Sequence, residues 1–264
     1  QLAKKYNCTI IQVKGIVAQG AYKSQARQQY KVIHQKIIKA YHNFSGDPKK
    51  LDASGNNLDP ETGEQVEFVL KYDSYENMVS GSLALFQVNK KNVGVRPDGA
   101  SPWTAVGEIR SQGVELEGRA QVTDNLDLLA NYTYTDMEIT EDKDASNIGQ
   151  TPVFVPDHTA NVWANYFVRD GVVNGLRVGG GVRYVGETVL NDASDKNKGT
   201  VPSYTLVDLS LGYDLGEMNS SLKNATANIV ANNIFNEEYY TCWNESYCWY
   251  GQEQTVEFNV NYEF

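Results

Sequence analysis

From about residue 66 to the end, the chain repeats one plan. Segments of about ten residues alternate apolar and polar positions, and turn residues separate them. The last segment is the clearest. Val256, Phe258, Val260, Tyr262 and Phe264 fall on one face, and Thr255, Glu257, Asn259, Asn261 and Glu263 on the other. Successive side chains of a strand point to opposite sides, so this segment has one greasy face and one wet face. The same division recurs upstream: Val207, Leu209, Leu211, Tyr213 and Leu215 oppose Asp208, Ser210, Gly212 and Asp214; Leu126, Leu128, Ala130, Tyr132 and Tyr134 oppose Asp127, Asn131, Thr133 and Thr135. Nine strands are predicted, at roughly 66–72, 79–89, 108–121, 126–139, 156–168, 175–186, 203–215, 221–235 and 253–264. Residues 30–44 leave two forms open. Tyr30, Ile33, Ile37 and Tyr41 recur at helical spacing amid Lys and Arg, and the same stretch reads equally as a distorted tenth strand.

Alternation is shared with soluble β-sandwiches, which also bury one face of each strand. Three features favour a membrane. The segments run about ten to fifteen residues, against about five or six for strands of soluble proteins and about nine to eleven for a tilted strand crossing a bilayer. Tyr and Phe gather toward strand ends on the apolar face, where an aromatic girdle belongs. The connections at 73–78, 122–125, 169–174 and 216–220 are short, whereas those at 90–107, 140–154, 187–201 and 236–252 are long and polar, in strict alternation. Tight turns at one end and long loops at the other are the rhythm of an up-and-down membrane barrel. The expected fold is therefore all-β: an antiparallel up-and-down transmembrane β-barrel, of which about nine or ten strands are seen, and ten could close a small barrel. Open sheet edges cannot face lipid, because each unpaired backbone group costs several kcal/mol there.

Charge and cysteines refine this picture. Formal net charge is −10, yet the first fifty residues hold ten Lys or Arg and a single acid, Asp47. The rest is strongly acidic, which argues against a nucleic-acid partner. The shift in composition near residue 45 suggests a boundary, and residues 1–40 are left as an unassigned basic segment, with 41–264 as the barrel portion. No run of eighteen apolar residues offers a transmembrane helix. No signal peptide follows Gln1, so the sequence is expected to be part of a longer exported chain. Cys8 stands alone. Cys242 and Cys248 lie close together among aromatics, without the partners a zinc site needs. A short disulfide in an oxidising compartment suits them better than a pair of free thiols.

Several stretches, in order, resemble TonB-dependent receptors. Residues 60–72 (PETGEQVEFVLKY) are similar to that family's P-x-x-G-x-Q-Y-E-x-G-x-K-Y pattern, with departures at Val66 and Val69. Residues 107–117 (GEIRSQGVELE) resemble its G-E-x-R-S-x-G-V-E-x-E strand, and residues 155–166 (VPDHTANVWANY) its V-P-x-H-x-x-x-L-W-x-x-Y segment. Residues 232–240 (NNIFNEEYY) resemble the N-L-F-D-x-x-Y signature before the last strand, with Ile234 and Asn236 in place of Leu and Asp, and Phe264 is similar to the terminal aromatic read by the barrel-assembly machinery. The stretch from Cys242 to Gly251 (CWNESYCWYG) resembles the last external loop of ferrichrome-type, hydroxamate siderophore receptors, in which a cysteine pair closes a small aromatic loop. The resemblance implies a larger barrel in the outer membrane of a bacterium, of which these strands are a portion, and import of a ferric siderophore, with Trp243 facing the ligand. It also implies a plug domain, absent from this sequence, through which TonB acts, and a monomer surrounded by outer-membrane lipid. No cofactor is expected.

Candidate ligand contacts are accordingly Trp243, Tyr247, Trp249, Tyr250 and, in another long loop, Trp103, since flat semi-rigid rings cover ligand surface at little entropic cost. For Trp249 and Tyr250 a place in the membrane-interface girdle is a rival reading. Arg110, Glu115, Glu117 and Arg119 are expected to line the lumen, paired with one another or facing the plug. Glu141, Asp142 and Asp144 lack the glycine and spacing of a calcium loop and read as a solvated loop. His158 has no triad-like companions, because neighbouring Asp157 points the other way on a strand. It reads as a structural residue at a strand start, and no catalytic constellation of a barrel enzyme emerges. A receptor for another cargo, such as haem, cobalamin or an oligosaccharide, remains the alternative within the fold.

Overall fold

The alternating segments pair in sequence order, each with the next, as hairpins do when every connection joins antiparallel neighbours. The computed structural model describes residues 32–43, 51–58, 61–74, 78–95, 104–142, 144–190 and 199–263. Cys8, Trp103, Asp192, Asp195 and Phe264 lie outside the described residues. The strands are β1 (Val32–Asn43), β2 (Thr62–Asp73), β3 (Val79–Val95), β4 (Thr104–Thr123), β5 (Leu126–Glu141), β6 (His158–Phe167), β7 (Leu176–Val185), β8 (Thr188–Val189), β9 (Thr200–Val201), β10 (Tyr204–Asp214), β11 (Ala225–Asn232), β12 (Tyr240–Asn244), β13 (Tyr247–Tyr250) and β14 (Thr255–Tyr262). Ten of them form one antiparallel sheet in the order β1-β2-β3-β4-β5-β6-β7-β10-β11-β14, while β8-β9 and β12-β13 are separate two-stranded hairpins. Of the stretch 30–44, the described residues 32–43 take the strand form, and β1 pairs with β2 along its whole length, from Val32 opposite Asp73 to Asn43 opposite Thr62.

The register shows what the alternation is for. Leu126, Tyr166, Val178, Leu211, Ile229 and Phe258 stand side by side across six strands. Ala120, Leu128, Ala164, Gly180, Leu209, Ala231 and Val256 form the neighbouring row across seven. No second sheet covers this face among the described residues. Phe258 is 68% exposed, Val260 55% and Leu209 46%, values that exclude the dry shared centre of a sandwich. A contiguous exposed apolar surface of this extent is the kind a membrane barrel turns outward.

The opposite face is polar. Asn228 bonds Asn259 at 3.2 Å and accepts from Arg177 at 3.3 Å, and Ser82 donates to Glu117 at 3.3 Å. Trp163 lies flat on this face over Gly181, its ring filling the space that a Cβ there would need, with its Nε1–H on Asn165 Oδ1 at 2.9 Å.

Three expectations are corrected. Arg110 does not share the lumen face with Glu115, Glu117 and Arg119. It sits on the face of Val114 and Leu116, opposite Glu138, and its guanidinium meets that carboxylate at 2.8 Å. Two residues nearer the apolar band, Gln112 donates to Asp136 at 2.9 Å on the same face. The outer face therefore turns polar above Val114 and Tyr134, where the strands leave the bilayer and both faces meet water. The long connections are also more ordered than their polarity suggests. β3 and β4 run on as a hairpin into the stretch read as loop 90–107, held by Lys91–Glu108 at 3.1 Å, and Lys90 meets Glu61 at 2.8 Å. The loops at 187–201 and 236–252 each contain a small hairpin. At the opposite end, Leu215–Met218 forms a helical turn and Ser220–Leu222 a 3-10 turn in a connection read as a simple short turn, and β11 begins only at Ala225.

Candidate functional site

The long connections meet at one end of the sheet, since consecutive antiparallel strands put every second connection on the same side. Strands β12 and β13 pair with Thr241 opposite Trp249 and Cys242 opposite Cys248, and a disulfide joins the two cysteines. Asn244 makes the tip: its Oδ1 accepts from the N–H groups of Ser246 and Tyr247, both at 3.0 Å. An Asn side chain that satisfies the turning backbone in this way is why a tight turn forms here. Register slips by one residue between Cys242 and Asn244, so Trp243 occupies a bulge. Bulges re-aim the extra side chain.

Cys242 is buried against Leu190 and Val201 of the neighbouring β8–β9 hairpin. Trp243, Tyr247, Trp249 and Tyr250 remain exposed. The structure brings Trp243 and Trp249 together through a ring supplied by a different loop: Phe154 lies 5.9 Å from Trp243 and 6.3 Å from Trp249, centroid to centroid. Tyr250 instead meets Tyr240 edge-on at 6.3 Å, and no described ring contact involves Tyr247. Phe154 escaped the sequence reading because only the convergence of two loops gives it partners. The one available signal was an aromatic residue set between Pro152 and Pro156.

The hairpin is tied to the lumen wall by the segment 232–240. Asn233, 2% exposed, adopts φ 51° and Asn236 φ 52°, a region asparagine tolerates better than most residues. These two reversals fold the chain back over the strand ends. Asn233 Nδ2 donates to the carbonyls of Glu237 at 2.9 Å and Gln252 at 3.2 Å, and its Oδ1 accepts from Glu237 N–H at 2.8 Å. One side chain thereby joins the start and the end of the loop. Asn236 Oδ1 accepts from Gln254 N–H at 2.8 Å, and Gln254 Nε2 donates to the Ile234 carbonyl at 2.8 Å. The backbone N–H of Asn233 donates to Asp208 Oδ1 at 2.9 Å, and Arg183 grips the same carboxylate at 2.6 and 3.1 Å. Tyr239 stacks on Tyr204 with ring centroids 4.4 Å apart. A cavity of about 300 Å³ opens beneath, lined by Arg183, Leu206, Asp208, Asn233, Tyr239 and Glu253 among others.

The remaining candidates have local roles. Asp142 and Asp144 accept from the backbone of Asp144 and Ser146 and from the Asn147 amide, which shapes the turn at Ala145–Asn147. His158 opens β6 and its Nδ1 lies 2.9 Å from Tyr132 Oη. With Tyr134 tilted against the imidazole at 5.1 Å, centroid to centroid, these rings mark the outer rim of the apolar band. No group of three or more His, Cys, Asp or Glu stands ready to hold a metal ion among the described residues.

The comparisons with known proteins agree with this architecture. Residues 28–234 match the family described as TonB dependent receptor-like, beta-barrel. The chain is 35% identical over 215 residues to the ferrioxamine B receptor of Salmonella typhimurium (strain SL1344), covering 81% of this chain and 30% of that protein. It is 34% identical over 217 residues to the ferrichrome outer membrane transporter/phage receptor of Escherichia coli (strain K12), covering 81% and 28%. The solved siderophore receptor PiuA from Acinetobacter baumannii superimposes with a TM-score of 0.67 at 25% identity, over 89% of this chain and 35% of that one. The chain thus spans less than a third of either of these two curated relatives. An exposed apolar face, a polar inner wall and a match over most of the sequence leave one assignment: the chain belongs to the TonB-dependent receptor family of outer-membrane β-barrels.

Proposed function

We propose that this chain forms a wall and part of the external mouth of a receptor that binds ferric siderophores, of the hydroxamate type, and imports them. The carrying observation is the disulfide-closed hairpin. It holds Trp243, Tyr247, Trp249 and Tyr250 exposed at the external end, and Asn233 and Asp208 moor it to the inner wall. Rings kept in place before the ligand arrives lose little freedom on binding. Trp103 belongs to the same proposed contact set. Ferric hydroxamates carry little net charge, so the acids of the external loops, such as Glu141 and Asp142, do not repel them strongly. Likeness at 34–35% identity to receptors named for ferrichrome and ferrioxamine B supports the same ligand class.

In this reading the polar inner wall surrounds a plug domain, and TonB acts on that plug to release the ligand inward. The role is uptake, not catalysis. The two open edges of the sheet, β1 and β14, require further strands to close the barrel in lipid, and the working protein is a monomer.

Titration of the receptor, purified from outer membranes, with ferrichrome and with ferrioxamine B tests the proposal through tryptophan fluorescence. Saturable quenching at micromolar ligand is the expected result. No quenching by either, with saturable binding of haem or cobalamin, would overturn the ligand class while leaving the fold intact.

A further inference from the structure

Phe154 has a backbone φ of 66°, a conformation that a bulky side chain adopts only against steric resistance. Glycine would meet no such resistance there. Burial does not compensate, because the residue remains 40% exposed. Nor is its placement left to a loose loop. On the N-terminal side, Ile139 N–H donates to Gln150 O at 3.0 Å and Gly149 N–H to Ile139 O at 2.9 Å. On the C-terminal side, Thr135 N–H donates to Asp157 O at 2.9 Å. The chain is thus fastened a few residues to either side of an unfavourable φ, and the ring is delivered to one place. That place is between Trp243 and Trp249, to which it is tilted by 41° and 59°. Tilted rings leave edges and partial faces open to a third body, and Trp243, 40% exposed, and Trp249 do so here.

Strain that burial does not repay, yet that backbone bonds on both sides hold in place, points to a functional demand. We infer that Phe154 is a specificity-determining residue of the ligand site: it sets the gap between the two indoles and contacts the apolar rim of the ferric hydroxamate. This inference rests on the ligand reading proposed above. Because the ring enters from a loop separate from the disulfide hairpin, it bears on the shape of ligand admitted as well as on the strength of binding. A compact cyclic trihydroxamate and an extended linear one should feel its removal unequally.

The test uses the receptor purified from outer membranes, with variants Phe154→Gly, Phe154→Leu and Trp243→Ala, titrated calorimetrically with ferrichrome and ferrioxamine B. Phe154→Gly should leave the thermal transition unchanged or raised, since it removes the strained φ. It should weaken the better ligand about tenfold and change the ratio of the two affinities at least about threefold. Phe154→Leu, which keeps bulk without a ring, should show the same change of ratio in smaller measure. An unchanged ratio in both Phe154 variants, whatever the thermal transition does, overturns the inference and makes the residue a packing element. If Trp243→Ala weakens binding while the Phe154 variants do not, only this inference fails. If Trp243→Ala also leaves both affinities untouched, the ligand site itself has been misplaced.

Discussion

Asn233 and Asp208 meet across the junction of wall and loop: the Asn233 N–H donates to Asp208 Oδ1 at 2.9 Å, and both residues are buried. Arg183, about half exposed, holds the same carboxylate. Replacing Asp208 with Ala leaves a buried N–H without its acceptor, at a cost of about 1–3 kcal/mol. We expect this cost to appear locally, as faster hydrogen–deuterium exchange at the amides of residues 237–252, by about one to two powers of ten. Asp208→Asn keeps an acceptor oxygen and should show a smaller increase. Equal exchange in the two variants would mean that the Arg183 pair, rather than the Asn233 bond, moors the loop.

The disulfide closes a short loop, so its entropic contribution is only about 2–2.5 kcal/mol. It acts in an external hairpin attached to a sheet that stands by its own pairing. Mild reduction should therefore leave the barrel folded and resistant to detergent on an unheated gel. The emission of Trp243 and Trp249 should shift as the hairpin opens. Affinity for ferrichrome should fall by about tenfold or more. Cys248→Ser should reproduce reduction. Cys242→Ser should do more, because it also places a hydroxyl against Leu190 and Val201.

Phe258 and Asn259 are neighbours in sequence but face different media. Phe258 continues the apolar row beside Ile229, whereas Asn259 bonds Asn228 on the inner wall. Phe258→Arg should destabilise the receptor by about 2–4 kcal/mol in urea titrations of the protein in lipid vesicles, the scale for a cation on the lipid face. Asn259→Arg should cost well under half of that. Equal penalties would mean that Phe258 does not face lipid.

Much of this architecture could be read from alternation. The faces of β10 and β14 follow directly from parity, and the division into short and long connections follows from spacing. Parity failed at Arg110 for a specific reason: polarity marks contact with water, and above the bilayer the outer face meets water as well as the inner. The motif at 232–240 was visible as a pattern, yet its mechanical role was not, because Asp208 lies in a different strand. Trp243, Tyr247, Trp249 and Tyr250 were legible as an aromatic cluster beside two cysteines. Phe154 was not, since a backbone reversal and the meeting of two loops leave no periodic trace in the residues around them.

Gly181 and Trp163 supply a direct test of the inner wall. They face each other in register across β6 and β7, and a Cβ on Gly181 would collide with the Trp163 ring and approach the Val162 carbonyl to 2.9 Å. Glycine inside a strand is unfavourable in itself, so its presence here is explained by the flat indole it accommodates. Gly181→Ala alone should destabilise the receptor by about 1–3 kcal/mol, the usual range for overpacking. Trp163→Ala alone should also destabilise it, through lost contact area. Together the two should cost less than their sum, because alanine at 163 opens the space that the new methyl needs. A coupling of about 1 kcal/mol or more in the double-mutant cycle, measured by urea unfolding in lipid vesicles, is the expected result. Simple additivity would show that the indole does not rest on Gly181, and with it the packing described for this part of the wall would fail.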